Sequence, residues 1–175
     1  MIFNPWLTFS LLFLLVWFFI FCFSKNSRRE LLLVSLITAL FGLTEPIFVP
    51  EYWNPPSLFN LATRTGFDIE SLIFSFSIGG IASIIYEFFF KVKHVKISKY
   101  EKHKKIHRHH AFAILSGPII FMPLYFLTTL NPIYSASIAM FLGGIAALFC
   151  RPDLKKKIFI SGILFFILYF LFFLF

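Results

Sequence analysis

The sequence predicts an all-α integral membrane protein with six transmembrane helices and with N-terminus and C-terminus both outside. Three observations carry that expectation. Hydrophobic residues make up 59% of the 175 residues, 28 residues are phenylalanine, and the mean hydropathy is +0.85; a soluble globule does not have this composition. Six apolar runs can be marked, at Pro5–Phe23, Leu31–Phe48, Ile69–Phe90, Ala111–Leu127, Ile133–Cys150 and Ile158–Phe175. Each has about 17–22 residues, the length that crosses a hydrocarbon core as a helix. None alternates like a barrel strand, and backbone in lipid must satisfy its own hydrogen bonds, so the runs are expected to be helical. Finally, all but Arg64 of the 16 Lys and Arg residues lie in alternate short loops: Lys25, Arg28 and Arg29; Lys91 to His110; Arg151 and Lys155 to Lys157. Cytoplasmic loops carry such excess positive charge, which gives the orientation and a multi-pass location in the cell membrane.

Taken in order, the first span has its basic residues after the apolar run and no small-residue cleavage site, which suits an uncleaved anchor. Pro46 follows Glu45 directly and is expected to kink or end the second span. In the outer loop Val49–Phe67, Pro50, Pro55 and Pro56 forbid a continuous helix, while Tyr52 and Trp53 suit the headgroup belt. A basic loop, 96–110, divides a three-helix unit, 1–95, from a second three-helix unit, 111–175. Ile69, Ser71 and Gly79-Gly80-Ile81-Ala82 in the third span recur as Ile133, Ser135 and Gly143-Gly144-Ile145-Ala146 in the fifth. Both spans carry a small residue at every fourth position, Ser75, Gly79, Ser83 and Ala139, Gly143, Ala147, as closely packed membrane helices do. These two spans are therefore expected at the centre of the bundle. Cys22 and Cys150 both end spans on the cytoplasmic side, where no disulfide is expected.

Five of the eight acidic residues lie between Glu45 and Glu87, with Arg64 as the one base among them. Carboxylates are costly at membrane depth and mark a functional site by default. Glu45 ends the second span, and Asp68 and Glu70 open the third on the same side, with Glu51, Asn54 and Arg64 in the loop between. One carboxyl could donate a proton there while another, paired with Arg64, accepts one. The competing reading is structural: Thr65 to Asp68 fits a capping box, and Asp68 and Glu70 suit a helix N-terminus. Glu87 stands about 25 Å from Glu70 along a helix, so the two cannot act on one atom; its competing structural reading is an i,i+4 ion pair with Lys91.

His103, His107 and His110 recur at helical spacing beside Glu101, but seven lysines and an arginine share their loop. A solvated segment touching anionic lipid is favoured over a metal site, so no metal is expected. The chain has no dinucleotide fingerprint, Walker loop, HExxH, CxxC or nucleophile elbow, and no cofactor is expected. It also lacks a nucleic-acid recognition module, so the net charge of +8 reads as a topology signal.

The acidic stretch resembles the lycopene cyclase domain, the three-span unit of heterodimeric or fused carotenoid cyclases, over roughly residues 1–92. Arg28-Arg29 precede the second span, Trp53-Asn54-Pro55 supply the aromatic-Asn-Pro element, and Gly66-Phe67-Asp68-Ile69-Glu70-Ser71-Leu72-Ile73-Phe74 match the acidic motif. Tyr86-Glu87 close the likeness. Asp68 stands where that motif carries proline, and Ser71 where it carries a second glutamate. The resemblance implies acid/base cyclisation or isomerisation of a carotenoid or other isoprenoid dissolved in the bilayer. Glu70, Glu45 and Asp68 would be catalytic, and Tyr52, Trp53, Asn54, Arg64 and Phe74 would bind substrate. Cyclases of this kind bring two acidic units together, which implies a second membrane subunit or another copy of this chain. Two further classes stay open. One is a non-enzymatic membrane component that binds lipid or carotenoid or packs with another membrane protein. The other is a small transporter, against which the mid-span polar residues Ser35, Thr38, Ser75, Ser77 and Ser83 are all uncharged.

Overall fold

Asn4 and Pro5 start the first helix for local reasons. The Asn4 side chain accepts the Leu7 amide at 3.1 Å, and Pro5 sits in the first turn, where a missing N–H costs nothing. The computed structural model describes residues 4–49, 56–92 and 110–174. Helix α1, Pro5–Phe23, buries Trp6, Ser10, Phe13, Trp17 and Ile20. Their alternating spacing of four and three makes one stripe, while Leu11, Leu15 and Phe18 face outward.

Helix α2, Arg28–Ala39, runs without a break into a 3-10 segment, Leu40–Ile47, that contains Pro46. Pro46 has no N–H to offer Gly42 and its ring crowds that carbonyl, so tighter i→i+3 winding closes the span. The change of winding begins at Leu40, earlier than a kink at Pro46 would place it. After a short 3-10 turn, Leu58–Asn60, helix α3, Leu61–Thr65, stops at Gly66. There φ is +78°, a conformation that glycine adopts without steric penalty. Helix α4, Ile69–Phe90, is capped by Asp68 itself, whose side chain accepts the Ser71 amide. The expected box from Thr65 to Asp68 is thereby corrected: Thr65 belongs to the preceding helix. Helices α5, His110–Leu127, α6, Pro132–Cys150, and α7, Lys155–Leu174, complete the described chain. No strand occurs among the described residues.

Among the described residues, four segments are long and apolar enough to cross a membrane: Pro5–Phe23, Arg28–Ile47, Ile69–Phe90 and Pro132–Cys150. Many of their outward side chains are large and hydrophobic, whereas Ser10, Ser35, Ser77, Glu45, Asp68 and Glu70 are buried. That polarity, apolar outside and small polar groups inside, is the construction of a membrane protein.

Packing divides the chain into two units, 1–94 with 160–175, and 95–159. This differs from the three-plus-three division read from the sequence, because most of α7 belongs with the first helices. Phe172 stacks on Phe13 at 4.1 Å between ring centroids, and Leu164 and Leu168 also pack against the core of Phe13, Trp17, Ile20, Leu31, Ile81, Ile84 and Ile85.

The three long segments of the first unit meet at one point. Trp17 Nε1 donates to Ser35 Oγ at 2.8 Å, and Gly80 lies directly against both. A Cβ on Gly80 would stand 2.1 Å from Ser35 Oγ and 2.7 Å from Trp17 Nε1, so only glycine permits this approach. Gly79 faces Thr38, Ser83 Oγ donates to the Gly80 carbonyl at 2.7 Å, and Ser75 is half-buried. The second small-residue stripe packs within the other unit. Ala139 is buried, Gly143 lies against Gly117 and Ser116 of α5, and Ala147 is half-buried. Each stripe thus serves a helix of its own unit, α2 for one and α5 for the other.

Candidate functional site: a buried carboxylate cluster

Glu45, Asp68 and Glu70 gather where the second span ends and α4 begins, with exposures of 6%, 2% and 0%. Charged side chains are rarely buried this deeply without a partner of opposite charge. Their contacts form two arms. In one, Glu45 Oε2 accepts the Asp68 amide at 2.9 Å and Glu45 Oε1 accepts Ser71 Oγ–H at 3.0 Å, while Asp68 Oδ1 accepts the Ser71 amide. In the other, Glu70 Oε1 accepts Asn4 Nδ2–H at 2.9 Å and the Leu58 amide at 2.7 Å. Every donor is neutral. Among the described residues, Asp68 Oδ2 and Glu70 Oε2 are buried with no hydrogen-bond partner.

Local sequence explains the placement. Asp68 is an N-cap, so its side chain must turn back over the first turn of α4 toward Ser71. Glu70, two residues on, leaves the helix on another side and meets the start of α1. The Gly66 turn lies against the Pro46 ring, where an added Cβ would be 3.3 Å away, and so holds the chain entering α4 beside the end of the second span.

No protein-family model, curated protein or solved structure matches this chain. The site is therefore read from its own geometry.

Arg64 does not join the cluster. It is exposed in the last turn of α3 and makes no ion pair among the described residues, which corrects its expected role as partner to a carboxylate. Phe74 packs in the core, 4.9 Å from Trp6 and 5.4 Å from Phe13 between ring centroids. Tyr52, Trp53 and Asn54, with Glu51, lie outside the described residues, as do His103 and His107. His110 opens α5. Among the described residues no three His, Cys, Asp or Glu side chains are arranged to hold a metal ion. Glu87, at the far end of α4, accepts Ser27 Oγ–H at 2.7 Å.

Two participants escaped the sequence reading. Asn4 caps α1, and nothing local in the sequence shows that its amide also reaches Glu70. Ser71 stands in the acidic motif, and its hydroxyl joins Glu45 to the start of α4. Chemically, the arrangement offers carboxyl oxygens in a buried setting with no base among the described residues around it: one that carries a proton can give it up, and one without can take it.

Proposed function

We propose that this protein is a six-span membrane protein, with both termini outside, that isomerises an isoprenoid dissolved in the bilayer by acid/base chemistry. The observation that carries this reading is the pair of buried oxygens Asp68 Oδ2 and Glu70 Oε2, which have no hydrogen-bond partner and no neighbouring base among the described residues. Protonation of a terminal alkene gives a carbocation, a neighbouring double bond closes the ring on it, and loss of a proton restores neutrality. The sequence involves no net redox change and no cofactor. Carboxyls held by neutral donors in a buried setting suit both proton steps. The resemblance to lycopene cyclase domains supports lycopene as the first substrate to try, and a second copy or a second subunit as partner.

A second reading rests on the other oxygens of the same residues. Asp68 Oδ1 caps α4, both Glu45 oxygens accept protein donors, and Glu70 Oε1 fixes Leu58. These contacts support a scaffold that holds lipid or carotenoid without converting it.

Expression in cells that accumulate lycopene, alone and with a cyclase-type subunit, separates the two readings by chromatography. Ring-bearing products that vanish in Glu70→Gln and Glu45→Gln support the isomerase. Bound but unchanged carotenoid supports the scaffold, and full activity in both variants refutes the proposed site.

A further inference from the structure

The opposite end of α4 carries a groove unrelated to the carboxylate cluster. It has a volume of about 810 Å³ and lies between the α1–α2 turn and the last residues of α4. Phe19, Phe23, Phe88 and Phe89 form its apolar wall, and Lys25 and Lys91 stand at its polar side. Phe19 contacts Phe23 at 4.5 Å and Phe88 at 6.2 Å between ring centroids, so the aromatic wall is continuous. Phe23 and Phe89 are exposed, at 68% and 60%.

The charge around the groove is arranged in one sense. The nearby carboxylate, Glu87, accepts the Ser27 hydroxyl. Arg28 donates to the carbonyls of Phe21 and Cys22 at 2.7 and 2.9 Å, which covers the electronegative end of α1. Neither Lys25 nor Lys91 makes an ion pair among the described residues, and both are exposed. Among the described residues that line the groove, two ammonium groups face one carboxylate, an excess of one positive charge, beside an aromatic surface far too large for an inorganic anion alone.

We propose that this groove binds one anionic phospholipid, with its headgroup phosphate between Lys25 and Lys91 and its acyl chains along Phe19, Phe23, Phe88 and Phe89. A headgroup of net negative charge matches the local excess, whereas a zwitterionic headgroup adds a cation to a site that already has one. Flexible lysine stems can lie along an apolar wall and carry their ammonium groups to headgroup level.

The test uses the full chain in neutral detergent with native mass spectrometry. Phosphatidylglycerol and phosphatidylcholine with identical chains are added in turn, with and without millimolar inorganic phosphate. The expected result is a single retained phosphatidylglycerol, little phosphatidylcholine, and no displacement by phosphate. Lys25→Gln combined with Lys91→Asn should lower retention by roughly thirtyfold, given the usual contribution of a surface lysine to an anionic membrane. Asn is chosen because Lys91 has a φ of 47°, which asparagine tolerates. Phe23→Ala, at an exposed position, should also weaken retention. Lys155→Gln with Lys156→Gln makes the same charge change elsewhere and should leave retention intact. Equal retention of the two lipids, displacement by phosphate, or equal losses in the two double variants would each overturn the proposal.

Discussion

Asn4 Nδ2 donates to Glu70 Oε1 at 2.9 Å, joining the first residue of α1's cap to the first turn of α4 across 66 positions of the chain. The same side chain accepts the Leu7 amide, so Asn4 fixes a helix start and a buried carboxylate at once. Asn4→Asp keeps the capping oxygen but sets a second carboxylate against Glu70. It is expected to lower stability by about 1–3 kcal/mol, the cost of a buried group that loses its partner. Asn4→Ser keeps a capping hydroxyl and should cost less. Thermal unfolding in detergent, followed by tryptophan fluorescence, compares them; an Asn4→Asp protein as stable as the wild type would contradict the contact.

Gly80 supplies a second test. Alanine there must displace Ser35 Oγ and the Trp17 indole together, and overpacking of this kind costs about 1–3 kcal/mol. Ser35→Ala opens that space while removing one hydrogen bond, worth about 0.6 kcal/mol between membrane helices. The double variant Gly80→Ala with Ser35→Ala should therefore recover part of the loss. Additive destabilisation in the same unfolding assay would mean the two side chains do not meet.

Capping and chemistry can be separated at Asp68. Asparagine caps a helix about as well as aspartate, so Asp68→Asn should change stability by less than about 0.5 kcal/mol, whereas Asp68→Ala should lose about 1 kcal/mol. Under the acid/base reading, Asp68→Asn nonetheless lowers ring formation by about a hundredfold or more. Retained activity with retained stability would confine Asp68 to its structural role.

The last helix makes a prediction of its own. Phe172 stacks on Phe13, whereas Phe170 is exposed. Phe172→Ala should destabilise the first unit by at least the roughly 1 kcal/mol of an aromatic pair, and Phe170→Ala should not. Equal effects of the two substitutions on the unfolding of Trp17's surroundings would dissociate α7 from that core.

The helices were legible because each apolar run is long and uniform, and because Asp68 suits a helix start. Glu45, Asp68 and Glu70 were legible because charge in such a background has few innocent explanations. What the sequence concealed is a matter of partners. Arg64 looked like the natural counter-charge from its position between Glu45 and Asp68, yet it sits on the exposed side of a five-residue helix. The small-residue stripes show that a helix is approached closely, but Thr38 and Gly117, the residues that approach, have no periodic signature. Phe172 is one phenylalanine among 28, and only packing singles it out.

The 3-10 winding of Leu40–Ile47 sets the angular phase of the site. Gly42 faces α4, where a Cβ would stand 3.0 Å from Leu72 Cα, and Gly42 and Glu45 are the two buried residues of that segment. At three residues per turn, Glu45 lies directly above Gly42 and points the same way; in an α-helix it would be turned about 60° aside. The change of pitch therefore helps turn the carboxylate toward Asp68 and Ser71. Insertion of one residue between Gly42 and Glu45 would swing that carboxylate by roughly 120° into the lipid, with every side chain of the site still present.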